Sequence, residues 1–246
     1  MRFVKVGIVV FPGSNCDRDM HHVLTEVFHL DVQYIWHTKP VPADMDAVIL
    51  PGGFSYGDRL RAGAIAAHSP VMGDVRRLAS DGVPVLGVCN GFQILTESGI
   101  LPGALLRNES LRFMCRWTSL IVKNTWTSFT SKLRMHQRMP VPIANGEGRY
   151  HAGEDTLRDL HRGGRIVFQY ASGDMNGSAH SIAGICNDGG NVVGMMPHPE
   201  RAVEREINPA DCRPARMMFE SLIEEVAAIK EEDVEDKWEG TPYVEP

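Results

Sequence analysis

The N-terminal third of this chain holds four short apolar runs separated by helix-like stretches, and that pattern restricts its fold more than any other feature. Residues 5–11 (KVGIVVF), 32–37 (VQYIWH), 46–53 (DAVILPGG) and 83–89 (VPVLGVC) read as strands. Between the first two, Met20, Val23, Leu24, Val27 and Phe28 share one helical face of residues 17–30, the spacing that lets a helix bury one side. Strands that are apolar along their length need cover on both faces, which selects a mainly parallel sheet between two helical layers. Right-handed crossovers then place ligands beyond the carboxyl ends of the strands. Two of those ends carry glycines, at Gly52-Gly53 and in the corner from Gly87 to Gly91.

The second half reads differently. Residues 111–122 (LRFMCRWTSLIV) alternate, with Phe113, Cys115, Trp117, Ser119 and Ile121 on one side and Arg112 and Arg116 on the other, the signal of a half-exposed antiparallel strand. Further short strands are expected at 165–171, 182–187 and 191–197, the last two joined by an NDGGN turn that suits a hairpin. A final helix starts at Pro214 and keeps Ala215, Met218, Phe219, Leu222, Ile223, Val226 and Ile229 on one face. The expected organisation is one α/β domain over residues 1–229, with added antiparallel strands, and an acidic, turn-rich tail over 230–246.

Composition narrows the partners. A formal charge of −6 gives no basis for nucleic acid or an anionic membrane. Five scattered cysteines without a CxxC pair argue against a disulfide framework and for a reducing compartment. The first apolar run meets Pro12-Gly13 too soon to span a bilayer and shows no small-residue cleavage site, so a cytoplasmic location is expected.

Cys89 stands in a Gly87-x-Cys89-x-Gly91 corner between an apolar strand and the helix-like NGFQILTESG. A strand that turns sharply into a helix pushes the turn side chain out at the sheet edge, as in a nucleophile elbow. The free N–H groups of the next helix favour an anion there. The same pentapeptide also fits a buried core cysteine between close-packed glycines. A thiol nucleophile needs a base, and the base needs an acceptor that orients it. MMPHPERA offers His198 and Glu200, two apart after an apolar strand; taken alone it reads more readily as an exposed loop histidine beside a capping glutamate, and it is the position of both candidates after apolar strands that favours the pair. Acyl transfer also needs donors for a developing oxyanion, and the backbone N–H groups of Gly53 and Asn90 are the expected pair. Other chemistries fail on spacing. Neither a P-loop nor a GxGxxG is present, and no PCxxC follows His198-x-Glu200. His21 and His22 are adjacent on a helix and diverge. No metal site is expected.

Together PGGFSYGD, GVCNGFQ and MMPHPERA resemble the class I, or triad, glutamine amidotransferases. FPGSNCDRD (11–19), RFMCRW (112–117), GEGRY (146–150) and NGSAHSIAGICN (176–187) narrow the resemblance to glutaminase subunits of phosphoribosylformylglycinamidine synthases, which serve the fourth step of purine synthesis. The resemblance implies a flavodoxin-like three-layer fold. It further implies Cys89 as nucleophile, His198 as general base and acid, Glu200 as its orienter, and Gln93 and Gly52 in the glutamine pocket. It also implies partners: a large synthetase subunit that carries ATP and magnesium, and a small bridging subunit, with no cofactor in this chain. One position departs from the family pattern, since Asn145 stands where histidine is expected before GEG. It can donate a hydrogen bond but cannot titrate, so no catalytic role is assigned to it. Two other readings stay open at this level, a glutaminase serving a different acceptor and a non-catalytic interaction subunit with the same fold.

Overall fold

The computed structural model describes residues 4–173 and 176–239, the stretch 232–239 as backbone. Each apolar run of the N-terminal third forms a strand: β1 (Lys5–Val10), β2 (Asp31–Trp36), β3 (Ala47–Leu50) and β4 (Val85–Val88). β1 pairs in parallel with β2 and β3, and β3 with β4. The side chains of β3 and the valines and leucine of β4 are fully buried, as a sheet covered on both faces requires. The expected helix over 17–30 is α1 (Asp17–His22) prolonged by a π-helical turn over Val23–Val27; Met20, Val23 and Leu24 face the core. α2 (Val71–Ser80) and α3 (Asn90–Glu97) flank β4 in sequence, and α3 packs on β4 and β3.

The added strands are β5 (Ala104–Leu106), β6 (Met114–Val122), β7 (Arg138–Asn145), β8 (Arg149–His151), β9 (Ile166–Tyr170), β10 (Ile182–Cys186) and β11 (Val192–Met195). Among the described residues they complete one nine-stranded sheet in the order β2-β1-β3-β4-β11-β10-β9-β6-β7, while β5 and β8 form a separate ribbon. β10 and β11 make the expected antiparallel hairpin, and β11 returns parallel to β4. That return decides where the site lies, because Met195 pairs with Val88 and the residues after both strands emerge side by side.

β6 is antiparallel, as its alternation implies, but its buried side is the even one, Leu120 and Val122, not the side of Cys115 and Trp117. β6 meets β9 only over Leu120–Val122; in its first half Met114 packs on the core while Cys115, Arg116 and Trp117 are exposed. β7 contacts the Pro199–Arg201 turn and α5 (Arg213–Glu239). α4 (Glu154–Arg162) joins the β5–β8 ribbon to β9 in sequence. α5 buries Ala215, Met218, Phe219, Leu222 and Val226, whereas Ile229, expected on the same face, is exposed. The expected division between 229 and 230 falls inside α5, which continues to Glu239; residues 240–246 lie outside the described residues. Among the described residues no helix is long and apolar enough to cross a membrane.

Gly73, exposed in the first turn of α2, offers an internal control on backbone effects. A Cβ there meets nothing within 4 Å, and alanine restricts the unfolded chain more than glycine does. Gly73→Ala is expected to leave activity intact and to stabilise by up to about 1 kcal/mol, read as a rise in the urea midpoint; a lower midpoint contradicts the described helix.

Candidate active site

Cys89 sits between the end of β4 and the start of α3 with φ +51° and ψ −106°, a conformation that costs a non-glycine residue roughly 1–3 kcal/mol. Three backbone bonds hold it. Its N–H donates to the carbonyl of Met195 at 2.8 Å, and its carbonyl accepts from Phe92 N–H (3.0 Å) and Gln93 N–H (3.1 Å). The flanking glycines do what close packing demands. A Cβ on Gly91 would lie 1.9 Å from the Leu50 carbonyl oxygen, and one on Gly87 2.8 Å from the Gly91 backbone. The corner therefore exists because α3 starts in direct backbone contact with β3.

His198 and Glu200 follow β11, the neighbour of β4. Both are 1 % exposed, and His198 Nδ1 lies 2.7 Å from Glu200 Oε1. The His198 backbone N–H donates to the Pro142 carbonyl at 2.9 Å, so β7 fixes the turn that carries the imidazole. Nε2 has no hydrogen-bond partner among the described residues. Burial by itself lowers the pKa of His198, but the Glu200 carboxylate, then the neighbouring Cys89 and Cys16 thiols, outweigh it and hold it well above the ordinary imidazole value. A buried imidazole with its far nitrogen tied to a carboxylate and its near nitrogen toward a thiol can take and return a proton.

The remaining sequence-derived residues gather at the same place. Gly53 has φ +152°, and a Cβ on it would lie 2.8 Å from Asn15 N and Ser14 Cα. Neither Gly53 nor Asn90 donates its N–H in the backbone bonds among the described residues, so both amides remain available to a ligand. Gln93 is buried; its Oε1 accepts from Asn90 Nδ2 at 2.9 Å and its Nε2 donates to the Glu147 carbonyl at 2.7 Å. It thus builds the wall by tying α3 to the 146–148 loop. A Cβ on Gly52 would lie 2.8 Å from His198 Cε1 and 3.0 Å from Cys16 Sγ, so Gly52 gives clearance to the imidazole.

Of these groups, Cys89, Gln93 and Gly53 line a cavity of about 240 Å3, together with Asp58, Asn145 and Glu147. Phe54, Arg107, Leu111, Arg112 and Phe113 stand around it too, and the Phe54 and Phe113 rings are 6.3 Å apart. Sequence reasoning assigned no role to Asp58, Glu147 or the arginines. Their only signal was that PGGFSYGD, RFMCRW and GEGRY are the segments that carry the family resemblance. Cys16 was also missed. It is buried beside His198 and accepts from Arg201 Nη2 at 3.1 Å, and burial, partly offset by His198, keeps its thiol pKa raised. Cys16, His198 and Glu200 bring ligand atoms within 4.8 Å of one another. A cation there would displace the Nδ1–Oε1 hydrogen bond and face the Arg201 guanidinium, a poor setting for a positive charge.

Asp58 is pushed up to about 6, first by burial and then by Glu147. A raised carboxylate pKa means that the folded chain binds the proton more tightly than the unfolded one, so this group lowers stability as pH rises from about 4 to about 6. Asp58→Asn is accordingly expected to raise the melting temperature at pH 7 and to lose that advantage below about pH 4. The Asn145 and Arg107 side chains, Arg112 and Cys89 share the cavity with it. Thermal melts at the two pH values check the sign, and destabilisation at pH 7 contradicts it.

A family model described as the CobB/CobQ-like glutamine amidotransferase domain matches residues 3–224. The chain belongs to this glutamine amidotransferase family. A phosphoribosylformylglycinamidine synthase subunit PurQ of Salinibacter ruber is 48 % identical over 233 residues, covering 92 % of this chain and 98 % of the relative. Among solved structures, PurLQS from Thermotoga maritima matches with a TM-score of 0.82 and 42 % identity, covering 91 % of this chain and 99 % of the other. A second glutamine amidotransferase of Thermotoga maritima, with a TM-score of 0.53 and 15 % identity over 94 % of this chain and 86 % of its own, shares the fold. The amidotransferase fold expected from sequence, a mainly parallel sheet with added antiparallel strands, is therefore the observed one.

Proposed function

We propose that this amidotransferase is the glutaminase subunit of a phosphoribosylformylglycinamidine synthase, with Cys89, His198 and Glu200 as its triad. The observation that carries the chemistry is the placement of a strained thiol and a carboxylate-bound imidazole at the ends of neighbouring parallel strands. The purine assignment is supported by the 48 % identity to PurQ along nearly the whole chain.

In this reading His198 Nε2 takes the Cys89 thiol proton as the sulfur attacks the side-chain amide carbon of glutamine, and the oxyanion is met by the N–H groups of Gly53 and Asn90. The proton held by His198 Nε2 passes to the departing nitrogen, which leaves as ammonia. A water molecule gives a proton back to His198 and its hydroxide to the thioester, releasing glutamate and the thiol. Glu200 keeps the imidazole oriented through Nδ1 in both steps. Ammonia passes to a larger synthetase subunit, which converts formylglycinamide ribonucleotide to its amidine with ATP and magnesium. The matched structure of PurLQS supports a chain that works with such a partner and a small third subunit. A purine-synthesis role supports a cytoplasmic location.

A diazoketone analogue of glutamine tests the site directly. One equivalent is expected to add to Cys89, glutamine is expected to protect, and His198→Ala is expected to slow the labelling. Protection of Cys16 in place of Cys89, or of no cysteine, refutes the triad. Co-purification of the tagged chain with an ATP-using synthetase of a different acceptor overturns the purine assignment.

A further inference from the structure

Two polar groups in the cavity wall have no bonding partner. Asp58 Oδ1 is buried with no hydrogen bond among the described residues. Asn145 is 3 % exposed, and neither atom of its amide has a partner there. Both residues line the cavity that holds Cys89. Leaving a buried polar atom unbonded costs about 1–3 kcal/mol, so a wall with several such atoms is complete only with a polar ligand in place.

The surroundings define that ligand's charge. The chain turns through left-handed backbone at Tyr56, Gly57 and Asp58 (φ +55°, +66° and +52°), and this brings the Asp58 carboxylate to the cavity. Strained positions of this kind collect at binding sites. Glu147, on the opposite loop, is close enough to raise the proton affinity of Asp58. The Glu147 carboxylate is itself anchored, accepting from Ala62 N–H at 3.3 Å and facing Arg107 Nε at 3.6 Å. One carboxylate is thus held by protein, while the other, in the cavity lining, keeps an oxygen without a partner among the described residues.

We propose that Asp58, supported by Glu147, is the subsite for the α-ammonium group of the substrate, and that it selects free glutamine over amides that lack this charge. The inference rests on reading the cavity as the glutamine site. Glutamine reacts at its side-chain amide and carries its only positive charge at the other end, four bonds from the amide carbon. Cys89 and a carboxylate with an unsatisfied oxygen line the same cavity, as that arrangement requires. The unpartnered Asn145 amide, which can both donate and accept, suits the zwitterionic head of a free amino acid. A peptidyl or N-acylated glutamine has no ammonium to offer and leaves Asp58 desolvated and unpaired.

The test compares L-glutamine with glutaramate, which keeps the side-chain amide and lacks the amino group, using the chain docked to its synthetase. Asp58→Asn is expected to raise KM for glutamine about 10- to 100-fold with kcat little changed. Its turnover of glutaramate is expected to match the wild type, so discrimination falls by the same factor. Glu147→Gln is expected to act in the same direction and less. An unchanged KM for glutamine overturns the proposal, and so does an equal loss for both substrates, which is what a general disturbance of the site produces. Alkylation of Cys89 by iodoacetamide at the wild-type rate shows that the variant's site is intact; a changed rate together with equal losses also counts against the proposal. Failure of the cavity reading itself is seen separately, as absence of diazoketone labelling at Cys89 in the wild type.

Discussion

Cys89→Ala is expected to remove glutamine-dependent amidine synthesis by at least about four orders of magnitude while leaving synthesis from added ammonia at the level of the wild-type complex. The size of the loss follows from the role. Without the sulfur no thioester forms, and what remains is the oxyanion site and binding alone, as when a triad nucleophile is deleted elsewhere. Retention of the ammonia reaction follows from the geometry. Cys89 is a small side chain held by backbone bonds to Met195, Phe92 and Gln93, and all three bonds survive truncation to alanine. The docked surface and the synthetase are then unaltered. Alanine also keeps a Cβ in the strained backbone, so the corner is not relaxed into glycine-like freedom. Parallel assays with glutamine and with ammonium chloride separate the outcomes. Loss of both activities makes Cys89 a structural residue, and retention of glutamine use makes another group the nucleophile.

The parallel half of the fold was legible because its signal is local. Apolar runs of a few residues with glycine at their ends need no distant partner to be recognised, and β1, β3 and β4 lie within the segments expected. β7 was not legible. Pro140 and Pro142 interrupt its sequence, and proline in a run argues against a central strand. β7 is the edge of the sheet, where a missing N–H removes no ladder bond, and its outward Pro142 carbonyl instead receives the His198 N–H. The proposed catalytic set was legible in the same uneven way. Cys89, His198 and Glu200 each follow an apolar strand, and only the return of β11 beside β4 was needed to bring them together. The cavity wall was not, because Asp58, Arg112 and Glu147 come from three separate loops and Asn145 from the end of β7, and they converge only through the long-range β6–β7 pairing. Cys16 reaches His198 through the loop after β1, which bonds to the Gly52 carbonyl at 3.1 Å, a contact with no signature in either segment alone.

Gly91→Ala is expected to be the most damaging methyl group that can be added to this chain. Its Cβ would lie 1.9 Å from the Leu50 carbonyl oxygen and 2.9 Å from the Leu50 Cβ, closer than any non-bonded contact, and the first of these partners is backbone in the middle layer of the sheet. No rotamer relieves it. Either α3 lifts away from β3, which uncovers the buried Phe92, Ile94 and Leu95, or β3 shifts against β1 and β4 on both sides. Overpacking of a rigid core typically costs 1–3 kcal/mol, and a backbone clash belongs at or above the upper end of that range, so a loss of at least about 3 kcal/mol is expected. For a chain of this size that corresponds to a melting temperature about 6–12 °C lower. Gly73→Ala, the same chemical change in open space, sets the baseline. Activity is expected to fall further than stability alone explains, because a lifted α3 carries Asn90 N–H away from the oxyanion and Gln93 away from Glu147. Measured under conditions where the variant is still folded, glutamine hydrolysis reduced by about 100-fold or more is the expected result. A melting temperature equal to that of Gly73→Ala shows that α3 does not rest on β3 through Gly91, and the origin assigned to the Cys89 corner falls with it.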